Sequence, residues 1–283
     1  MTIIQGDSHC GDEPTLDEIK HEISSIVGLS DVKKQLESVV DKIIKAKKDA
    51  SEGLRVVPPK PFHLVFIGNS GTGKSMVAGI LAKLFYLAGA LSSYTVTEMQ
   101  GSRQMKDAGR GVLVVNIDED PIKLETFKEI IDVMDEGHIV VIFSGNLNAL
   151  NQCMKLNNEF YYRLSACLQF NDLTPLELAT ILQRKASEKG ENDLICGLEL
   201  DSSCITCDIA QIIADVTPEN LRRQLNAHLI DQMLIEAMKV ADSQGEKTIS
   251  LRDLGIVFAQ NGVSAENPLF LLSSSHMLKE KFQ

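Results

Sequence analysis

No stretch of this 283-residue sequence approaches the roughly eighteen uninterrupted apolar residues that a transmembrane helix needs. Its first residues, MTIIQGDSHCGDEPTLDEI, also lack the basic and apolar regions of a secretory signal and the Arg/Ser bias of a transit peptide. Basic residues are outnumbered, because 28 Lys and Arg face 39 Asp and Glu and give a formal net charge of −11. A surface of that sign repels phosphate backbones. We therefore expect a cytoplasmic protein, with the nucleus as the other compartment, that binds neither membranes nor nucleic acids.

Cysteine is also scarce, and six scattered thiols are too few for a disulfide framework in a chain of this length. Cys204 and Cys207 do form a C-x-x-C. A structural zinc site usually needs a second ligand pair at similar spacing, and only Cys196 is nearby. We therefore expect ordinary small buried side chains here and a reducing compartment.

The strongest motif is GNSGTGKS, which follows the β-rich run FHLVFI and precedes the helical run MVAGILAKLFYLAG. Gly68, Gly73, Lys74 and Ser75 fill the template G-x-x-x-x-G-K-[ST]. Glycines let backbone amides curl around phosphate oxygens, lysine reaches the β and γ phosphates, and the hydroxyl ligates magnesium. A chance match in a Gly-rich turn is the alternative, but the flanking strand and helix favour a phosphate-binding loop.

Polar residues follow two further buried strands. The run Gly111–Ile117 ends in Asp118, Glu119 and Asp120, and the run Ile139–Phe143 ends in Ser144, Gly145 and Asn146. An acidic pair at such a strand end holds magnesium and polarises the attacking water in P-loop ATPases. The same cluster is typical of a helix start, with Asp120 as N-cap and Pro121 in the first turn. Asn146 is suited to meet a γ-phosphate, but it is equally suited to a simple turn.

Alternating strands and helices predict an α/β fold with a doubly wound parallel sheet, whose ligands lie at the carboxyl ends of the strands. From Phe170 onward the pattern is helical, with a capping box at Thr174 to Glu177 and a long helix opened by Thr217 and Pro218. Arg222 and Arg223 in that helix's first turn favour an anionic partner, because cations are disfavoured at the positive end of a helix dipole. We predict a flexible N-terminus (1–13), a nucleotide-binding domain (14–171), a helical lid (172–262) and a C-terminal tail (263–283).

In this order, the loop, the two polar strand ends, Arg163 and the helical lid resemble an AAA+ ATPase. The runs IVGLSDVKKQL, HLVFIGNSGTGKSMVAGILAKLF and GHIVVIFSGN look like the CbbX/CfxQ-type branch, which includes the AAA+ region of plant ankyrin-repeat proteins. The resemblance implies ATP and Mg²⁺ as ligands, a ring or other homo-oligomer, and a protein client. It implies adenine contacts from Ile26, Val27, Gly28 and Leu29, and phosphate contacts from Gly68, Asn69, Ser70, Gly71, Thr72, Gly73, Lys74 and Ser75, with Met76 beside them.

The same resemblance implies further roles by position. Ser75 and Asp118 would ligate magnesium, Asn146 would be the sensor on the fourth core strand, Arg163 an arginine finger for a neighbouring subunit, and Arg222 the lid arginine that senses the γ-phosphate.

Two departures from the family pattern bear on activity. Asn116 and Ile117 occupy the register in which the family has Asp-Glu, so Asp118 and Glu119 arrive two residues late. Between Thr97 and Gly111 the chain has only EMQGSRQMKDAGR, where family members carry an aromatic-glycine pore loop and a helix. We therefore expect ATP binding with impaired or slow hydrolysis, and no threading of polypeptides.

Three functions compete at this level. The first is an AAA+ protein whose ATP hydrolysis remodels a partner, and the second is an interaction module stabilised by a structural nucleotide. The third is a small P-loop kinase or GTPase, but the sequence has no N-K-x-D guanine motif and the helical lid favours AAA+. The register of Asp118 and Glu119 discriminates the first two.

Overall fold

The computed structural model describes residues 3–4, 13–54, 62–99, 109–118, 122–156, 160–189 and 194–255. Apart from Ile3, Ile4 and Glu13, the predicted flexible N-terminus lies outside these ranges, as do Glu119, the part of the shortened pore-loop segment from Gln100 to Ala108, and the tail. The described chain divides into two compact units. The first comprises the residues up to Gly68 together with Gly73–Asn171, and the second comprises Asn69–Thr72 together with the residues from Asp172 onward. The predicted domains place the loop tip Asn69–Thr72 in the first domain, whereas the structure groups it with the second unit.

The first unit is built on a six-stranded sheet in the order β1-β3-β4-β5-β2-β6. The four pairings among β2 to β6 are parallel, and β1 joins the edge antiparallel to β3. This arrangement confirms the predicted parallel α/β sheet. The strands are β1 (Ile3–Ile4), β2 (His63–Ile67), β3 (Val96–Met99), β4 (Val112–Asn116), β5 (Val140–Gly145) and β6 (Leu164–Gln169).

Helices cover both faces of this sheet, because its strands are apolar on both sides. Alternate residues of β4 enter opposite cores, with Val112 and Val114 on one face and Leu113 and Val115 on the other. The first face packs against α1 (Leu16–Ser25), α2 (Ser30–Ser51) and α3 (Lys74–Leu87), and the second packs against α4 (Leu124–Glu136), α5 (Leu147–Leu156) and α6 (Phe160–Arg163).

Strand β3 runs over Val96–Met99, so Glu98 belongs to it. One local prediction in this unit was wrong. Helix α4 begins at Leu124 with Lys123 as its N-cap, so Asp120 and Pro121 do not start it. The physical reason is that packing stabilises this helix through its buried face, which consists of Phe127, Ile130, Ile131 and Met134. No residue before Phe127 belongs to that face, so one turn before Phe127 is sufficient.

The second unit consists mainly of helices around its own apolar core. Its elements are α7 (Pro175–Ser187), β7 (Glu199–Leu200), α8 (Thr206–Val216), α9 (Glu219–Leu225), α10 (Ala227–Ser243) and β8 (Thr248–Ile249). The predicted capping box is confirmed, since Thr174 Oγ accepts from the Glu177 amide and the Glu177 carboxylate accepts from the Thr174 amide. The single long helix predicted from Thr217 was wrong, because the chain breaks at Asn226 into α9 and α10.

The C-x-x-C lies at the start of α8, and its two thiols differ. Cys204 is buried and its thiol donates to the carbonyl of Ile249 at 3.4 Å. Cys207 is exposed, so the expectation of a buried side chain was wrong there. Within the described ranges, no cluster of three or more His, Cys, Asp or Glu side chains could hold a metal ion, and no helix is long and apolar enough to cross a bilayer.

Candidate functional site

The glycine-rich loop leaves the carboxyl end of β2 and leads directly into α3. Gly68 closely approaches the residue that follows β6, since a Cβ on Gly68 would lie 2.5 Å from the carbonyl oxygen of Phe170. Gly73 is the N-cap of α3 with a φ of 97°, a left-handed conformation that glycine adopts without strain. The backbone amides of the first turn of α3 therefore lie at the carboxyl ends of the strands, where ligands bind in this fold.

Lys74 is the first residue of α3, and its ammonium group is folded back over the loop. The Lys74 Nζ donates a hydrogen bond to the carbonyl of Gly68 at 2.8 Å. Burial lowers the pKa of Lys74, and the negative charge of Asp118 opposes that shift. The partly buried ammonium group of Lys74, at the start of a helix, is suited to binding an anion.

Asp118 and Asn146 come together although they are far apart in the sequence. The backbone amide and the Nδ2 of Asn146 both donate to Asp118 Oδ1, at 2.7 and 2.6 Å. Strand β4 ends at Asn116, whose Oδ1 accepts from the Asp118 amide at 3.0 Å and so turns the chain. Gly145 leaves room for this approach, since a Cβ there would lie 2.8 Å from Asp118 Oδ1. Because β4 ends at Asn116, the chain turns there and brings Asp118 to the end of β5, although Asp118 lies two residues after the family register.

Glu98 is a carboxylate of this region that sequence reasoning missed. The Ser75 hydroxyl donates to Glu98 Oε1 at 3.3 Å, from the first turn of α3 to the end of β3. In the sheet, Glu98 pairs with Val114 of β4, two residues before that strand ends. The available signal was its position at the carboxyl end of a strand beside the acidic strand.

These oxygens suit a magnesium ion. Mg²⁺ prefers oxygen ligands and usually binds through one or two carboxylates together with water and substrate phosphates. The first unit supplies a hydroxyl at Ser75 and carboxylates at Glu98 and Asp118. Ser75 lies in the first turn of α3, and the two carboxylates lie at the carboxyl ends of β3 and β4. The donor set therefore fits the ion that the AAA+ class generally uses.

The residues expected near adenine lie between α1 and α2. Ile26 is buried, whereas Val27, Gly28 and Leu29 are half-buried. Gly28 and Leu29 both have positive φ values, 65° and 50°, which reverse the chain into α2. The Leu29 Cδ1 and the Met76 Cε would lie 3.6 and 3.3 Å from a Cβ on Gly73. The structure thus brings Leu29 and Met76 beside the glycine-rich loop.

The two predicted arginines are held by groups of their own units. Arg163 lies before β6, at the opposite end of the strands from the glycine-rich loop, and forms a two-pronged ion pair with Asp135, each contact being 2.9 Å long. Arg222 in the second unit donates to the carbonyls of Ala214, at 3.2 Å, and Thr217. This places its guanidinium at the carboxyl end of α8, where a cation is favoured by the helix dipole.

The tip of the glycine-rich loop packs within the second unit. Gly71 has a φ of 71°, and a Cβ on it would lie 2.1 Å from the carbonyl oxygen of Leu225. Its own carbonyl accepts a hydrogen bond from the Ala227 amide at 3.1 Å. Asn69 donates to Asp172 at 2.8 Å, and Thr72 donates to the Asn69 carbonyl at 2.8 Å. No sequence pattern pointed to the α9–α10 junction as a partner of this loop.

Comparison with known proteins gives partial matches. A family model described as a domain of unknown function, DUF8495, matches residues 172–257, most of the described second unit. Stage V sporulation protein K of Bacillus subtilis is 26% identical, over 62% of this chain and 61% of that protein. ESX-1 secretion system protein EccA1 of Mycobacterium tuberculosis is 26% identical, over 60% of this chain and 34% of that protein. The alignments thus span less than two thirds of either relative's length.

Solved structures with this fold include C. elegans PCH-2, with a TM-score of 0.50 and 12% identity over 87% of this chain and 71% of that one. A closed-state reconstruction of Hsp104 with ATPγS and FITC-casein gives a TM-score of 0.51 and 16% identity over 81% of this chain and 46% of that one. These neighbours show the P-loop NTPase fold of AAA+ proteins. This fold agrees with the AAA+ resemblance of the sequence. The narrower likeness to the CbbX/CfxQ-type branch stays a prediction.

Proposed function

We propose that this chain binds ATP with Mg²⁺ at the loop Gly68–Ser75, hydrolyses it, and uses the cycle to remodel a protein partner. The observation that carries the proposal is that the loop, Lys74, Asp118 and Asn146 come together at the carboxyl ends of the parallel strands. The loop joins β2 to α3, and the negative charge of Asp118 acts on Lys74. Asp118 also accepts a hydrogen bond from Asn146 at the end of the adjacent strand.

Each group has a definite task in this proposal. The backbone amides of the loop and of the first turn of α3 bind phosphate oxygens, and Lys74 exchanges the Gly68 carbonyl for the β and γ phosphates. Asn146 orients the attacking water through its side-chain amide. Glu119 accepts the proton from that water, as the acidic pair at such a strand end does in P-loop ATPases. Leu29 contributes apolar contacts to the base, and Met76 lies beside it at the loop.

Magnesium, when bound, neutralises charge on the β and γ phosphates. Ser75 and Asp118 are the proposed ligands, and Glu98 joins them as an acceptor for water bound to the ion. The Ser75 hydroxyl donates to Glu98, so the oxygen lone pairs of Ser75 stay available for a cation.

The two arginines are proposed to act only after a rearrangement. Arg163 must leave Asp135 to reach the nucleotide of a neighbouring copy in a homo-oligomer or ring, and Arg222 must leave the end of α8 to reach the γ-phosphate. Both roles rest on the family resemblance. Replacing Arg163 by Ala is expected to lower turnover in the oligomer while leaving ATP affinity unchanged.

A second function deserves a test of its own, because the acidic pair is displaced by two residues from the family register. In that alternative the nucleotide is a structural ligand of an interaction module, and hydrolysis is weak or missing. In either case we propose that a client is not threaded, since the segment from Glu98 to Arg110 contains no aromatic residue.

Turnover by the purified chain separates the two functions. We expect Mg²⁺-dependent release of phosphate from ATP, and a loss of about a hundred-fold or more in Glu119→Gln with ATP binding preserved, because general-base help has that magnitude. ATP binding without turnover in the parent protein would favour the structural nucleotide. Full turnover in Glu119→Gln would assign the base to another residue.

Binding itself is tested at Lys74. Each charged hydrogen bond to a phosphate contributes roughly 1.5 to 3 kcal/mol, so Lys74→Ala is expected to lose about ten-fold or more in ATP affinity by calorimetry. Lys34→Ala is the matched control, because Lys34 is an exposed lysine of α2 in a surface ion pair with Asp31. Unchanged affinity in a folded Lys74→Ala protein contradicts the phosphate site.

A further inference from the structure

Asn226 interrupts what the sequence pattern predicts as one long helix. It lies between α9 and α10 with a φ of 46° and a ψ of −124°, and its side chain is fully buried. A non-glycine residue pays an energetic penalty in this conformation, and such residues persist only where the surrounding structure holds them. The contacts of the Asn226 side chain show what holds the residue in this conformation.

The side chain of Asn226 uses both ends of its amide. Its Oδ1 accepts from the backbone amide of Leu173 at 2.8 Å, which fixes the oxygen on that side because a backbone N–H can only donate. Its Nδ2 therefore faces acceptors, and it donates to the carbonyls of Arg223, at 2.8 Å, and Ser70, at 3.0 Å. Asp172 Oδ1 lies 3.1 Å from the same Nδ2 and also accepts from Asn69.

Two consecutive carbonyls of the phosphate-binding loop are thereby held by one short segment. The carbonyl of Ser70 accepts from Asn226 Nδ2, and the carbonyl of Gly71 accepts from the backbone amide of Ala227. In a planar trans peptide the N–H points opposite to the C=O. Holding these carbonyls on Asn226 and Ala227 therefore turns the amides of Gly71 and Thr72 the other way, as donors for an anion.

We propose that Asn226 is a positioning residue for the glycine-rich loop, which it holds with its amides turned toward a bound phosphate. The proposal rests on the proposed function of that loop. Phosphate bound on the amides of Gly71 and Thr72 acts on the same peptide groups whose carbonyls Asn226 and Ala227 hold.

Asn226→Asp isolates the donor function of the side chain. An aspartate has nearly the same size and can still accept from Leu173, but it cannot donate to Ser70 and it faces Asp172 with like charge. We expect about a ten-fold or greater loss of ATP and ADP affinity by calorimetry, the loss that removal of one or two such hydrogen bonds produces. We also expect faster hydrogen exchange, without nucleotide, in a peptide that covers residues 69–72.

Asn226→Gly guards against a folding defect in the aspartate variant. Glycine tolerates the positive φ, so the break is retained while every side-chain hydrogen bond is lost. It should weaken nucleotide binding to a similar degree as Asn226→Asp. Asn220→Asp is the matched charge control, because Asn220 is exposed on α9. Ile209→Val in the buried core of the second unit is the control for modest destabilisation, and both controls should bind ATP like the parent.

The outcomes separate this proposal from the proposed function. Parent-like affinity in Asn226→Asp and Asn226→Gly, with affinity lost in Lys74→Ala, overturns the role of Asn226 and leaves ATP binding in place. Weakened binding without faster exchange at residues 69–72 overturns the positioning role as well. Failure of the parent protein to bind ATP or ADP overturns both.

Discussion

Gly71 offers a sharp test of how the loop tip is held. An alanine there would need a φ of 71°, and its Cβ would lie 2.1 Å from the Leu225 carbonyl oxygen and 3.0 Å from the His228 Cδ2. The first contact involves backbone, so a side-chain rotation cannot relieve it. Gly71→Ala therefore combines an unfavourable backbone conformation with a steric clash at the α9–α10 junction.

Two other glycines separate these two costs. Gly137 ends α4 with the same φ of 71° but has nothing within 4 Å of its Cβ position, so Gly137→Ala isolates the backbone cost, about 1 to 2 kcal/mol. Gly79 lies inside α3, also with open space, and Gly79→Ala should stabilise by about 0.5 to 1 kcal/mol. Overpacking adds about 1 to 3 kcal/mol, so Gly71→Ala should cost about 2 to 5 kcal/mol in total.

Denaturant unfolding of the three variants measures these free energies, and calorimetry with ATP measures the effect on binding. Gly71→Ala should also weaken ATP binding by about ten-fold or more, because relief of the clash must move the loop amides away from their positions. Gly137→Ala and Gly79→Ala should bind ATP normally. A Gly71→Ala protein that is no less stable than Gly137→Ala, or that binds ATP like the parent, would show that the loop tip is not packed against Leu225.

Two further predictions concern Glu98 and His63. If Glu98 supports the magnesium site, Glu98→Gln should weaken ATP binding in the presence of Mg²⁺ and leave binding in EDTA unchanged, and equal losses in both titrations would contradict that role. Burial lowers the pKa of His63 below its ordinary 6.5, although a hydrogen bond to the Met134 carbonyl and the charge of Asp135 both raise it. The His63 Nδ1 accepts a hydrogen bond from the Val141 amide at 3.1 Å. The unfolded chain therefore binds a proton that the folded protein excludes between pH 6.5 and the lowered pKa, so the unfolding temperature should fall as the pH drops through this window, and His63→Gln should flatten that fall.

The glycine-rich loop and the parallel sheet could be predicted because their information is local. Eight consecutive residues specify the loop, and the adjoining apolar runs specify the strand before it and the helix after it. The capping box of α7 was found for the same reason, since its two side chains satisfy amides only three residues apart. Alternation of strands and helices was then sufficient for a parallel sheet, because a parallel pair requires a long crossover.

Only the tertiary structure decided how the site is completed. Asp118 and Asn146 are 28 residues apart, and they meet because β4 ends early and Gly145 leaves space for the carboxylate. The segment ENLRRQLNAHL has the local character of a continuous helix. It breaks at Asn226 because a buried amide there gains partners on Ser70, 156 residues away, and on Leu173, and helix propensity is too weak to outweigh such bonds.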